Sequence, residues 1–281
     1  MIDLTGVTYA YPDAAAPVLR DLDLHVPAGT LCGVVGASGA GKSTLAKVVS
    51  GFVPHAEGGE LAGTVRVAGI DVPGTTLAEA VEHVGLVTQN PFNQISGARY
   101  TVREEIAFGL ENLGIPREEM VDRIGAVADL LGLEAFLDRS PYALSGGQMQ
   151  LVAIASMLVM RPQVLVMDEP TSQLDPGGTR LVFDVVARLS AAGTTVLLLE
   201  HKLEQLRDHA DHVVVLHEGR VALAGGPREV LSDERLHTWG VGTTRFTQAA
   251  RAATQAGVAL AGPLPVSFGD AVETFGTRSQ A

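Results

Sequence analysis

The chain has 281 residues, 46% of them apolar, which is enough for one large domain or two lobes around a sizeable core. Its formal net charge of −12 argues against binding nucleic acid or anionic lipid through a general positive field. The single cysteine, Cys32, excludes an internal disulfide framework, suits a reducing compartment and reads as a small core residue.

No positively charged leader opens the chain at Met1-Ile2-Asp3-Leu4, so no signal peptide is expected. Residues 1–30 read as β-rich, with Leu22, Leu24 and Val26 alternating with polar residues before a turn at Pro27-Ala28-Gly29. Leu31 to Val35 reads as a short buried strand. It leads into Gly36-Ala37-Ser38-Gly39-Ala40-Gly41-Lys42-Ser43-Thr44, which fits the phosphate-binding pattern G-x-x-x-x-G-K-[ST]. Glycines let the backbone N–H groups wrap a polyphosphate, and the helix start expected at Leu45 to Val49 adds further donors. Lys42 can reach the β- and γ-phosphates, and the Ser43 hydroxyl can hold Mg²⁺, a hard ion that prefers oxygen.

A second β-rich patch spans Gly58 to Val72, with a hairpin turn at Ala68-Gly69. The strand Val84 to Thr88 then leads into Gln89-Asn90-Pro91. A helical lobe is expected over about 99–160. Thr101 and Glu104 form a capping box, Gly114 ends that helix, and Pro116 suits the first turn of the next. The apolar face of that next helix is Met120, Ile124, Val127 and Leu131, and Gly132 closes it. Strand–helix alternation resumes with a strand at Val164 to Met167, a helix from about Gly178 to Ser190, and strands at Thr194 to Leu199 and His212 to Leu216. This order predicts an α/β fold with a parallel sheet covered on both faces. Gly219 and Gly225-Gly226-Pro227 read as the end of the core, Phe246 to Ala256 as a helix, and the Pro263 to Pro265 region as a rigid turn before a short terminal segment. The longest apolar runs, such as Thr195 to Leu199, fall far short of the ~20 residues of a membrane helix, so any membrane role requires a partner.

Val164 to Met167 ends in Asp168-Glu169, and ligands of open α/β sheets sit at the carboxyl ends of strands. Asp168 can hold Mg²⁺ through water, and Glu169 can orient and help deprotonate an attacking water. Leu144-Ser145-Gly146-Gly147-Gln148 opens an apolar helix running through Met160. Ser145 and Gln148 fit a capping box, and the same geometry makes a second anion site.

A phosphate loop, then LSGGQ, then an acidic strand end resembles the ATP-binding cassette (ABC) ATPases, over about residues 1–235. The resemblance implies a P-loop core with an antiparallel β subdomain and an inserted helical lobe over 1–237, plus a C-terminal extension over 238–281. It implies ATP and Mg²⁺ as ligands. It places Tyr11 where an aromatic stacks on adenine, Gln89 as the glutamine that senses Mg²⁺ and the transport partner, Asp175 as a contact to a second subunit, and His201 as the switch histidine at the γ-phosphate. It implies head-to-tail pairing in which Ser145, Gly146, Gly147 and Gln148 of one subunit complete the site on Lys42 of the other. Leu151 stands where the family has a basic residue and Gln173 where it has a small one.

Gln89-Asn90-Pro91-Phe92-Asn93-Gln94, Thr101 to Asn112 and Glu200-His201-Lys202-Leu203-Glu204 are similar to the ATPases of energy-coupling factor (ECF) importers, including the cobalt and nickel type. That group has an acid where Phe92 stands. The likeness implies a peripheral protein on the cytoplasmic face of the membrane. Its partners would be a same or paralogous ATPase, a transmembrane coupling protein and a substrate-binding membrane protein, and the C-terminal extension would aid dimerisation. The alternatives are the ATPase of another ABC transporter, or a non-transport ABC ATPase acting on DNA or ribosomes. The DNA class inserts a long coiled coil where only 103 positions separate Lys42 from Ser145, and the ribosomal class carries two cassettes where this chain has one.

Overall fold

A computed structural model describes residues 1–260 and 262–276. β1 (Ile2–Ala10) and β2 (Leu19–Val26) alternate as their sequences do, burying Ile2, Leu4, Val7 and Tyr9 on one strand and Leu19, Leu22, Leu24 and Val26 on the other. β3 (Leu31–Val35) is buried at every position and runs through the phosphate loop into α1 (Lys42–Val49). A short α2 (Phe52–His55) precedes β4 (Glu60–Val67) and β5 (Ile70–Asp71), which pair antiparallel with Val67 opposite Ile70 across the expected Ala68-Gly69 turn. α3 (Leu77–His83) follows, started by a Thr76/Glu79 capping box that the sequence reading overlooked, and leads into β6 (Val84–Val87).

The helical lobe comprises α4 (Val102–Asn112), α5 (Arg117–Leu131) and α6 (Gly146–Leu158). The Thr101/Glu104 box caps α4, and Gly132 closes α5 in the left-handed conformation. Pro116 is the N-cap of α5 and not part of its first turn: its ψ of 142° is extended, and helical backbone starts at Arg117. β7 (Val164–Asp168), α7 (Pro176–Ala191), β8 (Thr195–Leu199), α8 (Leu203–His209) and β9 (His212–His217) restore the alternation.

One further expectation needs correction. Gly219 does not end the core; with Glu218 it takes positive φ and turns the chain into β10 (Arg220–Gly225), which pairs antiparallel with β9. The short terminal segment after Pro265, for which the sequence predicts no conformation, forms α11 (Phe268–Gly276), which follows α9 (Pro227–Leu231) and α10 (Arg245–Gln255). The extension expected over 238–281 reaches beyond the described residues at Ala261 and at 277–281.

The small sheet has the order β2-β1-β4-β5 and is antiparallel; the large one has the order β10-β9-β3-β8-β7-β6 and is parallel except for β10 at its edge. Successive residues of the large sheet feed opposite cores. Leu165, Met167, Val196 and Leu198 pack with α4 to α8, whereas Val164, Val166, Leu197 and Leu199 pack with α1 and the small sheet. The unbroken apolar runs of β3, β7 and β8 follow from this two-sided burial. Cys32 lies in the second core, where burial pushes its thiol up to about 12. Among the described residues no helix is long and apolar enough to cross a membrane.

Candidate nucleotide site

Gly36 leaves β3 where the chain passes β9: a Cβ there would lie 2.4 Å from the Leu216 carbonyl oxygen, so no side chain fits. Gly41 caps α1 in the left-handed conformation, and no side chain accepts from the first turn of that helix. That leaves the helix start suited to an outside anion. The Lys42 ammonium is folded back along the loop, donating to the carbonyl oxygens of Gly36 at 2.9 Å and Ala37 at 3.1 Å. Burial lowers its pKa, opposed by the charges of Glu169 and Asp168.

Parallel pairing of β7 with β8 sets Asp168 opposite Leu199 and so brings the two strand ends together. Ser43 lies beside the Asp168 carboxylate and favours its charged form. Burial raises the Asp168 pKa and the neighbouring Glu169 adds to this, while Ser43 and Lys42 oppose it. Glu169 takes positive φ, 47°, with its N–H donating to the Leu199 carbonyl oxygen at 2.9 Å. This turn aims its carboxylate into the open. One oxygen accepts from Gln89 Nε2 at 2.8 Å, and the other lies 2.7 Å from His201 Nε2. Three residues separated by 80 and 32 positions thus meet at one carboxylate. They share a pocket of about 360 Å³ with Ser38, Gly39, Gly41, Lys42, Ser43 and Thr44.

The donor set fits a magnesium–triphosphate. Its cation side offers oxygens from Ser43, Asp168 and Gln89, all hard ligands. No cluster of three or more His, Cys, Asp or Glu among the described residues could hold a metal unaided. The oxygens of Ser43, Asp168 and Gln89 suit Mg²⁺, which takes one or two carboxylates and shares the rest of its shell with phosphates and water.

Other expected site residues lie apart. Tyr11 is half-buried beside α1, its hydroxyl 3.2 Å from that of Thr44, with Lys47 Nζ 5.6 Å from its ring centre and Tyr9 edge-on at 5.0 Å. None of Ser145, Gly146, Gly147 and Gln148 lines the pocket of its own chain. Ser145 and Gln148 cap α6 reciprocally, at 3.3 and 3.0 Å. The turn before α7 packs on this helix start: a Cβ on Gly147 would lie 3.3 Å from the Gln173 carbonyl oxygen. Asp175 caps α7 through Gly178 N–H at 2.7 Å. Leu151 packs half-buried against the core of the helical lobe.

A larger cavity of about 660 Å³ opens beside the phosphate pocket, between the Gln89 to Gln94 segment and Gly109, Leu113 and Met160 of the helical lobe. Phe92 of the same segment is 60% exposed and does not line the cavity, and Gln94 is not free. Its amide oxygen accepts from Thr88 N–H at 3.1 Å, and its NH₂ donates to the carbonyl oxygens of Leu86 and Ala153 at 3.3 Å each. The sequence reading gave no role to Glu105, Gln150, Thr171 or Glu200, all buried polar residues. Only Glu200 carried a signal, as a charged residue closing an apolar strand.

The model of the ABC transporter family matches residues 19–172. The chain belongs to that family. An energy-coupling factor transporter ATP-binding protein, EcfA1, from Bacillus licheniformis is 41% identical over 232 residues, 82% of this chain and 80% of that one. Among solved structures, cbiO1 from Clostridium perfringens, part of the ABC transporter complex cbiONQ, is 28% identical. It superposes with a TM-score of 0.73 over 90% of this chain and 98% of its own. A dimeric ATP-binding cassette in a post-hydrolysis state, bound to ADP and phosphate, is 26% identical with a TM-score of 0.71, covering 81% of this chain and 99% of that one. Some curated relatives are longer: the chain spans 41% of one from Methanosarcina acetivorans, to which it is 40% identical. The architecture is that of the ABC ATPase cassettes, and the chain is an ATPase of that class.

Proposed function

We propose that this chain powers an importer of the ECF type as one half of a head-to-tail ATPase pair on the cytoplasmic face of the membrane. The observation that carries this reading is the separation of the Ser145 to Gln148 segment from the pocket formed by Lys42, Glu169 and His201 of the same chain. A second subunit would supply the missing wall, with Asp175 near the seam. The likeness to EcfA1 and to cbiO1 favours the ECF branch.

In this reading the loop Gly36 to Thr44 and Lys42 bind the β- and γ-phosphates, and Tyr11 lies against the adenine. Ser43, Asp168 and Gln89 would hold Mg²⁺, which would supply positive charge against the phosphates when bound. Glu169 accepts a proton from the water that attacks the γ-phosphorus, and ADP leaves as the bond to its β-phosphate oxygen breaks. Gln89 and His201 fix the aim of Glu169, each bonded to one of its oxygens. ATP biases the pair from open towards closed. The transmembrane coupling protein docks at the 660 Å³ cavity lined by Gln89, Asn90, Asn93 and Gln94, in the segment that exposes Phe92, so closure reaches it through that segment. Residues 1–237 form the ATPase, and the extension from 238 helps the pair associate. The acidic charge favours transport over work on DNA or ribosomes.

Glu169→Gln, loaded with ATP, should migrate as a dimer on gel filtration; a monomer would overturn the pairing. Tagged protein drawn from membranes should bring a multispanning coupling protein with it. Its absence would overturn the importer reading and leave the ATPase intact.

A further inference from the structure

Glu200 takes no part in the chemistry above, yet its carboxylate is 2% exposed directly after β8. Both oxygens are engaged. Oε1 accepts the hydroxyl of Thr171, which is itself 1% exposed. Oε2 accepts the backbone N–H of His201 at 2.9 Å and of Lys202 at 3.3 Å. Lys202 closes the loop from the other side, its Nζ donating to the Thr171 carbonyl oxygen at 3.0 Å and the Thr179 hydroxyl at 2.8 Å. The same carbonyl accepts Leu174 N–H at 3.1 Å, which starts the turn leading to Asp175. A buried carboxylate is costly and persists only with its hydrogen bonds made. Two acceptor oxygens on one rigid group let it grip both segments at once.

We propose that Glu200 is a positioning residue that ties His201 to the Thr171–Asp175 turn, so that the histidine at the phosphate pocket and the turn at the subunit seam move as one piece. The inference rests on the roles proposed above for His201 and Asp175. It gives the state of the γ-phosphate a short route to the second subunit.

The test uses the purified full chain and compares wild type with Glu200→Gln, Thr171→Val, the double variant and Thr171→Ser. Steady-state hydrolysis gives kcat, KM and the Hill coefficient; a fluorescent nucleotide reports binding. Each of Glu200→Gln and Thr171→Val should lower kcat about tenfold, or ~1.4 kcal/mol. KM and nucleotide affinity should stay within about twofold, since only the reacting geometry is lost. The Hill coefficient should fall towards one. The double variant should be no worse than the poorer single, the mark of one shared interaction. Thr171→Ser, which keeps the hydroxyl, should restore kcat. Additive losses, or a kcat loss that follows melting temperature alone, would overturn the proposal. If Glu200→Gln does not fold, Thr171→Val against Thr171→Ser decides, and equal kcat overturns it. A wild type that does not hydrolyse ATP would sink the function proposed above, a result distinct from every outcome for the variants.

Discussion

Gly36→Ala offers a sharp test of the phosphate loop, because its effect comes from space. The added Cβ would sit 2.4 Å from the Leu216 carbonyl oxygen and 3.2 Å from Ala40 Cβ. A relaxed carbon–oxygen contact is about 3.3 Å, so the loop must retreat by about 1 Å. The obstacle is backbone of β9, held between β3 and β10, and cannot swing aside. Overpacking of this kind costs ~1–3 kcal/mol, with each kcal/mol worth ~2–4 °C of melting temperature in a chain of about this size. Displacing a reacting group by ~1 Å costs about a hundredfold in rate. Gly69→Ala is the control: its φ of +83° is costly for alanine, about 1–2 kcal/mol, but a Cβ there meets nothing within 4 Å and the hairpin is remote from the pocket. Both variants should melt several degrees early by differential scanning fluorimetry, and only Gly36→Ala should lose about a hundredfold in kcat/KM for ATP. Wild-type kcat/KM in Gly36→Ala would refute the reasoning.

Lys42→Ala should abolish ATP binding, measured by isothermal calorimetry; unchanged affinity would remove Lys42 from the phosphate site. Asp168→Asn should abolish Mg²⁺-dependent hydrolysis yet raise the melting temperature of the nucleotide-free protein near neutral pH. The folded state holds the Asp168 proton more tightly than the unfolded chain does, so the wild type loses stability as pH rises from the ordinary value of 3.8 through the raised one. The gain from asparagine should therefore shrink towards pH 3.8, and a variant less stable than wild type at pH 7 would contradict it. Phe92→Ala should leave basal hydrolysis intact and uncouple transport in reconstituted vesicles, whereas Gln94→Ala should lose ~1–3 kcal/mol of stability by stranding buried groups. Equal thermal stability in the two variants would show that Gln94 is no structural tie.

The parts legible in the sequence are those whose cause is local. Thr101 with Glu104 and Ser145 with Gln148 reach across three residues to make their caps, and both form as read. The apolar runs of β3, β7 and β8 announce two-sided burial by composition alone. β10 was missed because it is a half-exposed edge strand without strong alternation, entered through Glu218-Gly219 instead of one of the usual Asn-Gly or Asp-Gly turns. Family resemblance assigns Gln89 and His201 to the nucleotide site, but their contact with Glu169 is not in the sequence, since nothing in the spacing requires it; the sheet register does. Thr171 and Glu200, 29 positions apart, carry no motif of their own, and only the alignment of Asp168 with Leu199 brings them within reach.

The same long-range stitching gives the Gln89 to Gln94 segment its mechanical character. Gln94 binds it to the end of β6 and, through the Ala153 carbonyl, to the middle of α6. Gln150 adds a weaker tie from α6 to the Thr88 carbonyl at 3.5 Å, and its own buried amide oxygen finds no partner among the described residues. Glu105 of α4 takes Ser96 by both N–H, at 2.7 Å, and hydroxyl, at 2.8 Å. The segment is therefore tied at its end to α6, the helix that Ser145 caps, and the chain just beyond it to α4, while Gln89 at its start holds the carboxylate of Glu169. Force applied at the exposed Phe92 should reach the helical lobe, because sliding the segment alone would break the half-buried hydrogen bonds that Gln94 makes to Thr88, Leu86 and Ala153. In the function proposed above, a coupling protein pressing there would act on a segment that Gln94 ties to the Ser145 helix and Gln89 ties to Glu169, so docking and hydrolysis would be linked through one short stretch of chain.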